Sequence, residues 1–140
     1  MTYKEKKEYL EGYLSSKRRI KGLQCELEEW RTIATNITQK LSPVTVHGND
    51  NTSKVERCAI KCHDIQEQII QELERAEATR FRVERTINNI PDIRRRDIFT
   101  MRYVNGLSVQ KIAILLDKDT NNIHKMIRTG IKSLDMEGEA

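Results

Sequence analysis

The sequence predicts an all-α protein: a long antiparallel heptad helical hairpin followed by a small helix-turn-helix. Three observations predict it. Apolar residues recur at steps of three and four over two long stretches, the spacing of a helix with one buried seam. Only two prolines and six glycines interrupt 140 residues, and they cluster near the proposed segment boundaries. Charged residues make up 33% of the chain and aromatic residues 5%, a composition that suits long solvated helices better than a ring-rich core.

The first helix is expected from about Lys4 to Leu41. Its seam runs through Tyr9, Tyr13, Ser16, Ile20, Leu23, Leu27, Trp30, Ala34, Ile37 and Leu41. The stretches KRR, QCE and LEE between these positions solvate the outer faces, and the helix would be roughly 55 Å long. Trp30, Tyr9 and Tyr13 lie on the seam and read as packing residues. Ser42–Ser53 then breaks the pattern with Pro43, Gly48, Asn49 and Asp50, all turn formers.

A second helix is expected from about Ser53 to Asn89. Its seam is Val55, Cys58, Cys62, Ile65, Ile69, Leu73, Ala76, Val83 and Ile87, with Arg80 interrupting. Two heptad helices of similar length joined by a loop of ~10 residues fold back most simply as an antiparallel hairpin. Pairing between two chains would use the same seam, which does not itself say which helix it meets.

Ile90-Pro91-Asp92 ends the second helix and starts another, because proline lacks the interior donor yet fits a first helical turn. The stretch DIRRRDIFTMRYV continues as a helix until Asn105-Gly106. Ser108 caps VQKIAILL, whose apolar face is read as Ile112, Ala113, Leu115 and Leu116. Asp117-Lys118-Asp119 forms the turn. Asp119 is placed to cap the last helix, with Thr120 as the alternative cap. In that helix Ile123, Met126, Ile127, Gly130 and Leu134 share one arc, while Asn121, Lys125, Arg128 and Lys132 occupy the opposite arc. Leu115 and Ile123 are expected to be buried between the two short helices.

A polar, basic outer arc is either an ordinary solvated face or a surface that reads DNA. The helix-turn-helix context favours DNA, since one helix braces while the second presents its N-terminal half to the major groove. Asparagine suits adenine edges, and lysine suits guanine edges or phosphate. Charge agrees: Pro91–Leu134 holds nine Lys and Arg against four Asp, whereas Ser42–Glu74 holds three basic against six acidic residues. The DNA-binding candidates are Lys118, Thr120, Asn121, Asn122, His124, Lys125, Arg128 and Lys132, with Arg94 and Arg95 upstream. Arg94-Arg95-Arg96 either clamps phosphate or solvates its helix. A helix N-terminus disfavours cations, which argues for an anionic partner there.

These residues carry a family resemblance. LSVQKIAILLDKDTNNIHKMIRTGIKSL resembles region 4 of sigma-70-type factors, the helix-turn-helix that reads the promoter −35 element. RRRDIFTMRYVNG resembles the helix before it, and the match runs from about Pro91 to Leu134 without a gap. The whole chain, with YLEGYLSSKRRIKGL and LSPV, resembles phage and prophage regulators of the autolysin-regulator (ArpU-like) type, associated with phage late genes. This sequence departs from the region 4 pattern in three places. Asp117 stands where glycine is usual, Lys118 where an apolar residue is usual, and Gly130 where alanine is usual.

Other chemistry finds no footing. Cys58, Cys62 and His63 resemble metal ligands, but His63 points about 100° from Cys62 and a closed site needs Cys25 or His47 from elsewhere. The cysteines read as small seam residues. There is no Gly-rich phosphate loop, no nucleophile elbow and no carboxylate pair, so neither an enzyme nor a cofactor is expected. No apolar run would span a bilayer, the start MTYKEKKEYLEGYL lacks an apolar signal region, and three cysteines form no disulfide framework. A cytoplasmic location without membrane association follows as the expectation.

The sequence therefore implies a DNA-binding domain at 90–140 and an interaction or dimerisation hairpin at 1–89. The function expected is a sequence-specific transcriptional regulator, a phage late-gene activator or sigma-like factor. Its partners would be double-stranded DNA, RNA polymerase and a second copy of the chain through the hairpin. Two alternatives stand beside it: a phage DNA-packaging subunit of the small-terminase kind, and a protein that binds polymerase or a sigma factor without touching DNA.

Overall fold

The two heptad stretches form long helices, and the C-terminal third folds into three short ones. The computed structural model describes residues 1–40 and 49–136. Its elements are α1 (Tyr3–Lys40), α2 (Asn49–Asn88), α3 (Ile93–Tyr103), α4 (Val109–Leu115) and α5 (Thr120–Lys132), with no strand among the described residues. Leu41, the Pro43 and Gly48 turn and His47 lie outside the described residues. Asn49 and Asp50, expected in the turn, open α2 instead. The same residue types that favour turns also favour helix starts.

Two compact units divide the chain. One combines Met1–Ser16 with Arg75–Ala140, and the other is Lys17–Glu74. The unit that holds the helix-turn-helix thus reaches past residue 89 to include the last turns of α2 and the first turns of α1.

In the unit Lys17–Glu74, α1 buries Ile20 and Leu27 and half-buries Leu23 and Trp30. α2 buries Cys58 and Ile65 and half-buries Val55, Cys62 and Ile69. The next seam position is Glu72, only 9% exposed, whereas Leu73 is 50% exposed. Glu72 continues the alternating steps of three and four from Ile69 to Ala76, which Leu73 breaks. Its carboxylate lies 3.5 Å from the Arg19 guanidinium. That ion pair fixes the direction of the helices. From Arg19 to Lys40 and from Asn49 to Glu72 each helix runs about 30–35 Å. The nine steps from Lys40 to Asn49 reach at most about 32 Å. Parallel helices meeting at Arg19 and Glu72 would separate those ends by about 65 Å. The antiparallel direction alone closes the chain.

In the other unit the early part of α1 lies against the end of α2. A Cβ on Gly12 would sit 3.3 Å from Thr79 Cγ2. The Arg80 guanidinium covers the Tyr13 ring at 5.6 Å and donates to Glu84 at 2.8 Å. Leu10, absent from the predicted seam, is fully buried, while Tyr9 is half-buried. The seam predicts only the face toward α2, whereas this end of α1 also meets the C-terminal helices: Tyr3, Lys7 and Glu11 share a cleft with α5.

The corner between α2 and α3 is held by polar bonds. Arg96 donates to the Ile90 carbonyl through Nε at 3.1 Å and Nη2 at 2.8 Å. The Arg94 amide donates to Asp92 Oδ1 at 3.1 Å, the N-cap bond of α3. Beyond α3, Gly106 takes φ +73, the left-handed conformation expected of the terminating glycine. α3, α4 and α5 pack on one another around Ile98, Phe99, Tyr103, Ile112, Ala113, Ile123, Ile127 and Ile131, all buried. No helix among the described residues is long and apolar enough to cross a membrane.

Candidate nucleic-acid interface

The reading surface depends on how α4 hands the chain to α5. Ser108 Oγ accepts the Lys111 amide at 3.2 Å, so α4 starts where its cap predicts. At its end the Lys118 amide donates to the Ala113 carbonyl at 2.9 Å, and the Asp117 amide donates to the Ile114 carbonyl at 3.3 Å. These two bonds make a Schellman turn, which needs a left-handed residue at Asp117. Asp117 supplies it with φ 52, the one non-glycine residue with positive φ among those described. Aspartate tolerates this region better than most side chains do. The turn therefore keeps its glycine-type shape without a glycine. Lys118, in a position more often apolar, is half-buried.

The apolar face of α4 differs from the expected one. Val109, Ile112 and Ala113 are buried and Leu116 is half-buried, whereas Leu115 is 58% exposed. The spacing of 109, 112, 113 and 116 is one helical stripe, and Leu115 lies about 100° off it. A stripe drawn without Val109 falls one residue too far around. Ile123, the other half of the expected brace, is fully buried.

α5 separates its apolar and polar sides more sharply than α3 does. Ile123, Ile127, Gly130 and Ile131 are buried. Asn121, Asn122, His124, Lys125, Arg128 and Lys132 are exposed, and Thr120 is half-buried in the first turn. Asp119 occupies the N-cap position, but its side chain makes no capping bond. Its carbonyl accepts the Ile123 amide at 3.2 Å. Asn121, Lys125, Arg128 and Lys132 lie together on the outward arc. Thr129, neither basic nor an amide and so not a sequence candidate, is exposed beside them.

Arg94 and Arg95 do not share a surface. Arg94 is exposed at the start of α3. Arg95 turns toward the buried side of α5, its Cδ 3.3 Å from where a Cβ on Gly130 would lie. It borders a cleft of about 320 Å³ with Asp92, Ser133 and Asp135, and its Nε is buried without a hydrogen-bond partner among the described residues. Arg96 is committed to the Ile90 carbonyl. The triple arginine is thus one exposed cation, one cation against α5 and one structural clamp.

A second cleft, of about 200 Å³, runs along the flank of α5 and gathers Lys7, Arg102, His124 and Arg128 with the single carboxylate of Glu11. Its floor includes Tyr103, whose hydroxyl pKa is pushed up to about 12. Burial is the main cause. Arg102 opposes the shift, and Glu11 and Tyr3 add to it. Lys7 is not a sequence candidate, because the heptad pattern assigns the start of α1 to the hairpin alone.

Cys58 and Cys62 are buried and half-buried, while His63 is exposed and 3.9 Å from Glu67. Among the described residues no three potential ligands converge on a metal position.

A left-handed turn between a capped brace helix and a helix with a polar outward arc is helix-turn-helix geometry, and family comparison matches it. Residues 80–134 match the family model described as Sigma-70, region 4. These residues form a sigma-70 region 4-like domain. The match begins at Arg80, inside α2, so the end of the long helix is part of the domain, in line with the compact unit that includes it. Region 4 points to a DNA-binding role in transcription. No curated protein and no solved structure matches the chain significantly.

Proposed function

We propose that the protein is a sequence-specific DNA-binding transcriptional regulator that acts with RNA polymerase, as a phage late-gene activator or sigma-like factor. The observation that carries this reading is the outward arc of α5, exposed on a sigma-70 region 4-like domain. Asn121 and Lys125, in the first half of α5, are assigned to base edges. Arg128 and Lys132, farther along, are assigned to phosphates. Arg94 adds a phosphate contact from the start of α3. No catalytic chemistry is assigned to the chain.

The unit Lys17–Glu74 is assigned to protein contact. One recognition helix reaches only a few base edges, so a single copy binds a short site weakly. Joining two copies, or one copy and polymerase, raises affinity through effective concentration.

The test is selection of bound duplexes from a random library with the full chain, followed by sequencing. A regulator of this kind enriches one short motif. Enrichment of no motif, together with capture of polymerase or a sigma factor, would replace this reading with that of a protein-binding regulator.

A further inference from the structure

The start of α1 lies outside the matched residues 80–134, yet it is placed beside α5 in the same compact unit. Lys6 Nζ donates to the Lys132 carbonyl at 3.4 Å. That carbonyl is at the negative end of α5, where a cation is favoured. Lys7 lines the same cleft as His124 and Arg128, and it is exposed with no carboxylate paired to it among the described residues. Lys4, one turn earlier and also exposed, lies on the same side of α1 as Lys7.

We propose that the first turns of α1 are an additional DNA-contacting element, with Lys4 and Lys7 touching phosphates and Lys6 positioning the helix. The inference rests on the DNA-binding reading above. A helix in the major groove has a phosphate rail along each flank, because the groove is only about 12 Å wide. Arg128 belongs both to the outward arc of α5 and to the wall of the cleft, so the cleft opens along one edge of the reading surface. A duplex seated on that arc places its nearer rail over this edge. The lining there is basic: Lys7, Arg102 and Arg128 face one carboxylate, Glu11. The partner recognised is the backbone, so these lysines add affinity without sequence preference.

The experiment compares the full chain with Lys4→Gln/Lys7→Gln, Lys4→Arg/Lys7→Arg and Lys125→Ala, on a selected duplex and an unrelated one, across salt concentrations. The glutamine variant should bind both duplexes several-fold more weakly. The slope of log affinity against log salt should become shallower by about one for each phosphate that is no longer neutralised. The arginine variant should bind like the parent chain. Parental affinity and slope in the glutamine variant, with Lys125→Ala impaired on the selected duplex, would overturn the inference and leave the DNA reading standing. Weaker binding without a change in slope, not rescued by arginine, would overturn it as a folding effect. Parental binding by every variant would overturn both readings.

Discussion

The ring of Phe99 lies so close to Gly130 that a Cβ on the glycine would sit 2.6 Å from Cζ and 2.8 Å from Cε1. Phe99 is fully buried, and its ring meets Tyr103 edge-on at a centroid distance of 5.6 Å. The missing methyl group is what lets α3 and α5 approach at this point. Gly130→Ala therefore sets two effects against each other. Alanine favours the helix by about 1 kcal/mol, but overpacking a buried ring costs about 1–3 kcal/mol. The clash should win, lowering the melting temperature by several degrees. Adding Phe99→Leu to Gly130→Ala should cost less than the sum of the two single changes, a coupling that a double-mutant thermal cycle measures.

Asp117 gives a second backbone test. Its φ of 52 suits glycine, tolerates aspartate and penalises a branched side chain. Asp117→Gly should be within about 1 kcal/mol of the parent chain, because relief of strain offsets the entropy of glycine. Asp117→Val should destabilise by about 1–2 kcal/mol. Chemical denaturation of the two variants checks the contrast. Equal stability would mean that the turn is not left-handed.

In the hairpin, Glu72 and Leu73 exchange the roles that hydrophobicity suggests. Leu73→Gln should leave stability almost unchanged, since its side chain is half in solvent. Glu72→Leu should be neutral or stabilising, because it fills a buried seam position with an apolar side chain while the Arg19 side chain, 58% exposed, stays hydrated. Glu72→Ala leaves a gap at a buried seam position, and it should destabilise. Thermal melts of the three variants separate these outcomes.

Tyr103 makes stability fall in alkaline solution. Its hydroxyl pKa is raised from an ordinary value near 10 to about 12 in the folded chain. The folded state therefore holds the proton more tightly than the unfolded state. This contribution is complete below pH 10 and disappears as pH rises toward 12, on the order of 2 kcal/mol. Tyr103→Phe should flatten that part of the pH–stability curve. Tyrosinate absorbance of the folded chain should show a late-ionising component that Tyr103→Phe removes.

The order of the helices, the Ile90-Pro91-Asp92 corner, the Ser108 cap and the Gly106 terminator were legible because each rests on local chemistry. So was the polar arc of α5, where one helical period separates charged from apolar residues. What escaped the sequence was set by neighbours. Leu10 and Lys7 depend on the return of the C-terminal helices to the start of α1. Leu115 is exposed because α4 is only seven residues long and uses Val109 to complete its stripe. The run of three arginines looks like one feature, but Arg95 and Arg96 turn to different neighbours, which no spacing rule reveals. Gly130, a weak helix former by composition, makes sense only beside Phe99.

Whether α5 reads base edges is decided by the affinity of Asn121→Ala and Lys125→Ala for the selected duplex and for an unrelated duplex at fixed salt. Each change should cost about 1–3 kcal/mol on the selected duplex and much less on the unrelated one, because base-edge recognition is removed while phosphate binding remains. Circular dichroism should be unchanged, since both side chains are exposed. Parental affinity for the selected duplex in both variants would contradict the assignment of α5 as the reading helix.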